Sequence, residues 1–217
     1  MKYKVIKINR DSKWYPEKLK NIEDSPKELY CLGNLELLNK KSMAVIGSRN
    51  YSEYGKQVTF DFAYSLAQEG ICIVSGLAKG IDGFAHSACL KAKGKTIAVL
   101  GSGLDVIYPK ENEKLYYDIL NNGGLIISEY PLGSKPEKWH FPARNRIISG
   151  LSDGILVIEA RKNSGTNITV DFALDQGKDV FVVPGNIYSK TSDGTNFLMK
   201  EGAIPVTSAQ DILDYLK

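Results

Sequence analysis

Residues Met43–Val74 read MAVIGSRNYSEYGKQVTFDFAYSLAQEGICIV, and this stretch decides the fold. A short apolar run at 43–46 ends at a Gly-Ser-Arg turn, and a second run at 71–74 follows Gly70. Between the two runs, apolar side chains recur at every fourth position: Tyr54, Val58, Phe62 and Leu66. This spacing places them on one face of a helix, and a glycine after the last turn is a common helix end. The stretch therefore predicts a strand, a helix and a second strand.

The same alternation continues along the chain. Further short apolar runs, most of them following a glycine, stand at 96–100, 125–127, 155–158, 180–183 and 203–206. Because they are apolar throughout and do not alternate, they are typical of parallel strands that are covered on both faces. Helical patterns lie at 85–93, 111–122, 166–176 and 208–216. We therefore predict an α/β fold with a doubly wound, mostly parallel sheet, and a ligand site at the carboxyl ends of its strands.

The first 40 residues do not follow this alternation. Trp14-Tyr15-Pro16, Pro26 and the run at 29–33 predict a strand, a short helix and a loop. We expect two units: residues 1–40, an N-terminal extension packed on the core, and residues 41–217, the domain that carries the site.

Composition excludes several classes of protein. The 217 residues are 43% hydrophobic and 24% charged, which is the mix of an ordinary globular domain. No apolar run approaches the roughly 20 residues that span a bilayer, and the N-terminus has no apolar signal segment. Three scattered cysteines do not make a disulfide framework, so we expect a cytoplasmic protein with no membrane contact. The net charge of +3 excludes a polycation but permits a local basic groove.

Three turns that follow predicted strands carry residues suited to phosphate. The first is Gly47-Ser48-Arg49, where an arginine stands at the start of a helix and could clamp an anion. The second is the glycine-rich run 75–83, which contains Lys79. The third is Ser164-Gly165-Thr166, which can present backbone and hydroxyl donors at a helix N-terminus. Each turn is also explained by tight strand-to-helix geometry with a solvated side chain or an N-cap.

The densest cluster is the segment 138–150, which reads KWHFPARNRIISG. Cations that suit phosphates are interleaved here with aromatic rings that suit bases, a combination typical of single-stranded nucleic-acid binding: Lys138, Phe141, Arg144, Asn145 and Arg146. Arg144 and Arg146 are two residues apart, so on a helix only one of them easily faces a cleft. We expect the other to hold the scaffold.

Signatures of catalysis and of metal binding are missing. The two histidines do not stand at metal-ligand spacing, and neither a nucleotide-binding Gly-x-x-x-x-Gly-Lys loop nor a Gly-x-Ser-x-Gly elbow occurs. We therefore predict no catalytic residues, no metal and no cofactor.

Taken together, these motifs resemble those of the DNA-processing protein A family (DprA, also called Smf). The resemblance runs from Trp14 to Ala203 and is densest in the segment 141–152, which reads FPARNRIISGLS. It implies an extended Rossmann-like fold, present here as the core only. It also implies a protein without enzymatic activity that binds single-stranded DNA, protects it, and helps to load the RecA recombinase in recombination and natural transformation.

The resemblance also implies partners and a dimer. Single-stranded DNA and RecA are the expected partners, and the protein is expected to form a homodimer. We place the dimer surface near Phe197, Leu198, Ile204 and the C-terminal helix, where core packing explains the same apolar residues equally well.

Two other functions remain open at this point. Nucleotide phosphoribohydrolases have a related fold and carry a glutamate just beyond a Gly-Gly-x-Gly-Thr turn. The corresponding turn here is followed by Asn167, Ile168 and Thr169, so the expected carboxylate is missing unless Glu159 or Asp171 replaces it. The third function is that of a sensor that binds a small nucleotide in the same cleft.

Overall fold

The computed structural model describes residues 4–216 of the chain. Within this range the strands are β1 (Ile6–Asn9), β2 (Glu28–Gly33), β3 (Ser42–Ile46), β4 (Cys72–Ser75), β5 (Thr96–Leu100), β6 (Leu125–Ser128), β7 (Gly154–Val157), β8 (Asp179–Val182) and β9 (Ile204–Pro205). The helices are α1 (Glu17–Lys20), α2 (Glu53–Gln68), α3 (Ile81–Lys91), α4 (Glu113–Asn121), α5 (His140–Leu151), α6 (Gly165–Asp175), α7 (Asp193–Lys200) and α8 (Ala209–Tyr215).

The described strands form one sheet in the order β1-β2-β6-β5-β4-β3-β7-β8-β9. The strands from β6 to β9 in this order are parallel to one another, whereas β1 and β2 are antiparallel additions at the β6 edge. The chain moves from β3 outward to β6, then returns to the other side of β3 with β7. The predicted doubly wound, mostly parallel α/β sheet is confirmed.

Both faces of the sheet are covered, as the unbroken apolar runs indicate. Strand β3 shows the division: Met43 and Val45 pack with α2, α3 and α8, whereas Ala44 and Ile46 pack with α1, α5 and α6. Helix α4 covers the far part of the first face against β5 and β6. Because every residue of β3 is buried, an alternating sequence would have placed polar groups in a core.

The N-terminal residues join the sheet. Strand β2 pairs with β6 through residues 30–33, and β1 pairs with β2. Leu19 and Ile22 also pack on the core beside α5. Within the predicted extension, residues 4–40 therefore supply one edge of the sheet as well as packing on it. Residues 1–3 and 217, which belong to the two predicted units, lie outside the described residues.

His86 on α3 is fully buried and hydrogen-bonded on one side only. Its Nδ1 lies 2.7 Å from Oγ1 of Thr96, and that hydroxyl already donates to the carbonyl of Ile73. Nδ1 is therefore the protonated nitrogen, and the buried Nε2 has no partner among the described residues. Burial lowers the pKa of His86 from its ordinary 6.5 to about 3, because protonation would place a charge and an unsatisfied N–H in the core.

We expect this buried histidine to make the fold acid-sensitive. The unfolded chain takes up the His86 proton below pH 6.5, whereas the folded chain resists it down to about pH 3. The free energy of unfolding should therefore decrease as the pH is lowered from 6.5 to about 3, by up to about 1.4 kcal/mol per pH unit from this group. Urea unfolding of the wild type and His86→Gln at several pH values measures the difference. His140→Gln, at the other histidine, is the control, and parallel pH profiles for the wild type and His86→Gln contradict the prediction.

Candidate nucleic-acid interface

The candidate site is a cleft at the carboxyl ends of the central strands. The chain order reverses between β3 and β7, and the helices that follow these strands lie on opposite faces of the sheet. A crevice opens at such a reversal. A cavity of about 340 Å³ lies there, lined by Ile46, Gly47, Ser48, Arg49, Asn50, Ala78, Asp82, Phe141, Pro142, Arg144, Asn145, Ile148, Arg161, Ser164, Gly165, Thr166 and Thr169.

Backbone hydrogen bonds hold the turns around this cleft together. The N–H of Ser48 donates to the carbonyl of Glu159 at 2.8 Å, and the N–H of Ile81 donates to the carbonyl of Ser48. Gly80 adopts a φ of +79°, and a Cβ there would lie 2.5 Å from the carbonyl oxygen of Ser48. Only glycine permits both this backbone angle and this close approach. The turns after β3, β4 and β7 are thereby fixed as one rim.

Glu159 anchors helix α2 at this rim. The residue is 1% exposed, and its carboxylate accepts hydrogen bonds from the backbone and the hydroxyl of Ser52 and from the hydroxyl of Thr191, at distances between 2.5 and 2.9 Å. Ser52 in turn caps α2 by accepting from the N–H of Gly55. A buried carboxylate whose oxygens are hydrogen-bonded within the protein holds the surrounding turns in place and does not bind the ligand.

Arg49 and Phe141 form the exposed wall of the cleft. Arg49 is exposed, and its Cζ lies 5.6 Å from the centroid of the half-buried Phe141 ring. A guanidinium over a ring face is held by a cation–π contact while its N–H groups stay free for an anion. The arrangement places a phosphate donor directly beside a stacking surface.

The N-terminus of α6 lines the same cavity. Ser164 is its N-cap residue, and its Oγ is buried with no hydrogen-bond partner among the described residues. Gly165 and Thr166 begin the helix, whose first N–H groups have no partner within it. Arg161 lines the cleft from the same turn and is exposed. Helix N–H groups, an unsatisfied hydroxyl and a cation together suit a phosphate.

Arg144 is buried in the floor of the cleft and supports it. The residue is 4% exposed, and its Nη1 donates to the carbonyl of Gly76, the residue after β4, at 2.8 Å, and to the carbonyl of Val99 within β5. A Cβ at Gly76 would lie 2.2 Å from Nη1 of Arg144, so this glycine leaves room for the guanidinium. Burial lowers the pKa of Arg144 to about 10 and raises that of the neighbouring buried Asp82. Arg144 therefore stays charged at neutral pH and compensates the Asp82 carboxylate.

Arg146, which the sequence places among the ligand-binding residues, is held away from the cleft by other partners. Its guanidinium donates to both oxygens of Glu129, at 2.7 and 2.8 Å, and pairs with Asp24 of the N-terminal segment. Arg146 does not line the cleft. It stands two residues after Arg144 on α5, so its side chain points about 200° around the helix axis from that of Arg144. We expected one of the two arginines to stabilise the fold and the other to face the cleft. Both are buried and hydrogen-bonded within the protein.

Two predicted lysines lie outside the main cleft. Lys79 is exposed, lines a small adjoining cavity, and forms an ion pair with Glu111. Lys138 is exposed just before α5, next to Trp139, and lines neither cavity. The structure brings together nine of the predicted site residues: Gly47, Ser48, Arg49, Phe141, Arg144, Asn145, Ser164, Gly165 and Thr166.

Sequence reasoning missed Arg161, Asn50 and Asp82 as lining residues. Arg161 follows β7 by a few residues, in the same turn as Ser164. Its position after a parallel strand was the available signal, because side chains in such turns converge at one edge of the sheet.

Carboxylates are scarce in this cleft. Among the described residues that line it, Asp82 is the one carboxylate, and its Oδ2 accepts from the N–H of Gly76. Glu159 lines a separate depression behind α2, and Asp171 is exposed on α6. Within residues 4–216, no group of three or more histidines, cysteines, aspartates or glutamates could hold a metal ion. None of the helices described is long and apolar enough to cross a membrane.

Comparison with known proteins gives a consistent result. Residues 6–217 match the family model described as DNA recombination-mediator protein A. Protein Smf of Escherichia coli is 46% identical over 210 residues, covering 97% of this chain and 56% of the relative. The chain spans between 56% and 70% of the length of the first three curated relatives that it matches.

Solved structures give the same fold. The X-ray structure of DNA processing protein A from Streptococcus pneumoniae superposes with a TM-score of 0.92 at 47% identity, covering 97% of this chain and 74% of that one. DNA processing protein A from Helicobacter pylori superposes with a TM-score of 0.89 at 36% identity, covering 100% of this chain and 96% of that one. The structure of the H. pylori protein is described for its unique single-stranded DNA binding mode. The extended Rossmann-like fold is thereby confirmed.

Proposed function

The chain belongs to the DNA recombination-mediator protein A family, and we propose that it binds single-stranded DNA in the cleft at the carboxyl ends of its strands. The observation that carries the proposal is the exposed Arg49, which is held over the ring of Phe141 and lines one cavity together with the N-terminus of α6. Phosphate donors and a base-stacking surface meet there.

In this proposal the DNA backbone runs through the cleft. Arg49 and Arg161 neutralise phosphates, and the hydroxyl of Ser164 with the first N–H groups of α6 bind a further phosphate oxygen. Phe141 packs on a base or sugar, and Asn145 lines the wall beside it. Because bases are bound by stacking, we expect weak sequence preference.

We expect single strands to bind much more tightly than duplex DNA. The bases of a duplex are already stacked on each other, so Phe141 has no exposed base face to contact. A labelled poly-dT of about 30 nucleotides, titrated by fluorescence anisotropy, should bind at least about tenfold more tightly than the matching duplex. The logarithm of affinity should fall with the logarithm of salt, with a slope of about −0.7 for each phosphate contact.

The salt series also serves as the control in this experiment. Binding that is salt-sensitive but equal for both forms of DNA would indicate non-specific attraction to a basic surface and would contradict the proposal. Absence of binding at low salt would overturn it outright, and would direct attention to small nucleotides as ligands of the same cleft.

We favour a binding role over hydrolysis of a nucleotide. The one carboxylate that lines the cleft, Asp82, is buried, bonded to the N–H of Gly76 and compensated by Arg144. A general acid or base must reach the reacting group, and this carboxylate is committed to the scaffold. The proposal therefore assigns no catalytic residue.

The proposal extends to partners of the bound DNA. We propose that the protein protects single strands and assists the loading of RecA during recombination and natural transformation, in the cytoplasm, as a homodimer. Lys138 and Lys79 would contact the strand beyond the cleft.

Phe197, Leu198 and Ile204 are half-buried, so each leaves apolar surface for a second copy. Two linked clefts would raise avidity on one strand.

A further inference from the structure

A second, smaller cavity adjoins the cleft. Its volume is about 30 Å³, and it is lined by Arg49, Gly76, Ala78, Lys79, Tyr108, Pro109, Phe141 and Arg144. Arg49, Ala78, Phe141 and Arg144 line both cavities. The two cavities therefore adjoin at Phe141, and their linings extend from the N-terminus of α6 to Tyr108 and Lys79.

Tyr108 presents an exposed ring beyond Phe141. The side chain is 46% exposed, and its ring centroid lies 5.5 Å from that of Phe141 with the planes tilted by 38°. It lines the small cavity and not the main cleft. An exposed aromatic ring next to a stacking residue is a surface for a neighbouring base.

The cation at the end of this surface is neutralised by the chain itself. Nζ of Lys79 lies 2.5 Å from Oε1 of Glu111, and both side chains are more than half exposed. Glu111 is held near Lys79 because Nδ2 of the next residue, Asn112, donates to the carbonyls of Leu77 and Ala78. Glu111 therefore occupies the position that a phosphate would take on Lys79.

Resting on the proposed function, we infer that the bound strand continues past Phe141 over the ring of Tyr108 to Lys79, where a phosphate displaces Glu111. An exposed ion pair contributes at most about 1 kcal/mol, so a phosphate can replace the carboxylate at small cost. Glu111 then acts as an internal competitor that restrains affinity for single strands.

The first test removes the competitor. Glu111→Gln should bind a dT oligonucleotide of about 15 nucleotides two- to fivefold more tightly than the wild type, which corresponds to the strength of an exposed ion pair. In a Lys79→Met background the same substitution should give no gain, because the cation that it frees is absent. Anisotropy titrations of all four proteins at one salt concentration provide the measurement.

A matched pair elsewhere controls for net charge. Lys7 and Glu28 form an exposed ion pair of 2.6 Å on β1 and β2, the sheet edge far from the cleft. Glu28→Gln changes the net charge by the same amount and should leave affinity unchanged. An equal gain in Glu28→Gln, or a gain from Glu111→Gln that persists without Lys79, overturns the inference.

The second test concerns the ring of Tyr108. Tyr108→Leu should weaken binding about fivefold or more, because the loss of one base–aromatic stack costs at least about 1 kcal/mol. Tyr108→Phe should bind like the wild type. A Leu variant that binds normally, or a Phe variant that binds as weakly as Leu, overturns the path over this ring.

The inference and the proposed function fail in different ways. If the wild type does not bind single strands, or if Arg49→Ala binds as well as the wild type, the proposed function fails and the inference with it. If Arg49→Ala weakens binding while Glu111→Gln and Tyr108→Leu match the wild type, the strand occupies the cleft but leaves it by another route.

Discussion

Replacement of Arg49 by alanine is expected to weaken the binding of single-stranded DNA by about 10- to 100-fold. A charge-assisted hydrogen bond is worth about 1.5–3 kcal/mol, and about 1.4 kcal/mol is a tenfold change in affinity. Arg49 is exposed and is held over Phe141, so little side-chain freedom remains to be lost when phosphate binds. Anisotropy titrations at several salt concentrations should also show a slope that is shallower by about 0.7.

Two variants separate this effect from a general loss of charge or of fold. Lys7 on β1, at the sheet edge far from the cleft, has a side chain that is 54% exposed and forms an ion pair with Glu28, so Lys7→Ala removes one positive charge away from the bound strand. It should bind like the wild type. Arg49→Lys should be intermediate, because an ammonium keeps the charge but loses bidentate hydrogen bonding and ring stacking. Equal weakening by Lys7→Ala and Arg49→Ala would show that only net charge matters.

The fold was largely predictable from sequence because its strands are buried on both faces. Runs such as 43–46 and 97–100 have no polar position, and a glycine ends most of the preceding helices. Helix α7 was not predicted from the sequence, because it has only 8 residues and contains Gly194. The positions of strands β1 and β2 in the sheet were harder to predict. A strand that pairs antiparallel at a sheet edge can come from any part of the chain.

The site was predictable in position but not in the role of each cation. The turns after β3 and β7 had to meet at one edge of a parallel sheet, which located Arg49 and Ser164. Sequence does not show which arginine has a buried carboxylate or carbonyl as its partner. Arg144 and Arg146 both stand in the cationic segment. Arg144 is held by backbone carbonyls and Arg146 by Glu129, and these partners are distant in sequence.

Replacement of Arg144 by methionine is expected to destabilise the fold by about 3–5 kcal/mol, the cost of removing one partner from a buried charged group. The substitution leaves the carbonyls of Gly76 and Val99 without a side-chain donor, and leaves the buried Asp82 carboxylate without its cation. Urea unfolding at neutral pH measures the loss. The double variant Arg144→Met with Asp82→Asn should recover part of it, because the uncompensated charge is removed as well.

Arg161→Met is the matched comparison, since Arg161 lines the same cleft but is exposed. It should change the free energy of unfolding by less than about 0.5 kcal/mol while weakening the binding of single strands. Arg144→Met, assayed below its unfolding temperature, should lose stability far more than it loses affinity. If Arg144→Met instead unfolds like the wild type and binds DNA as weakly as Arg161→Met, then Arg144 contacts the ligand directly. In that case the buried hydrogen bonds to Gly76 and Val99 would have to be exchanged for phosphate when DNA binds.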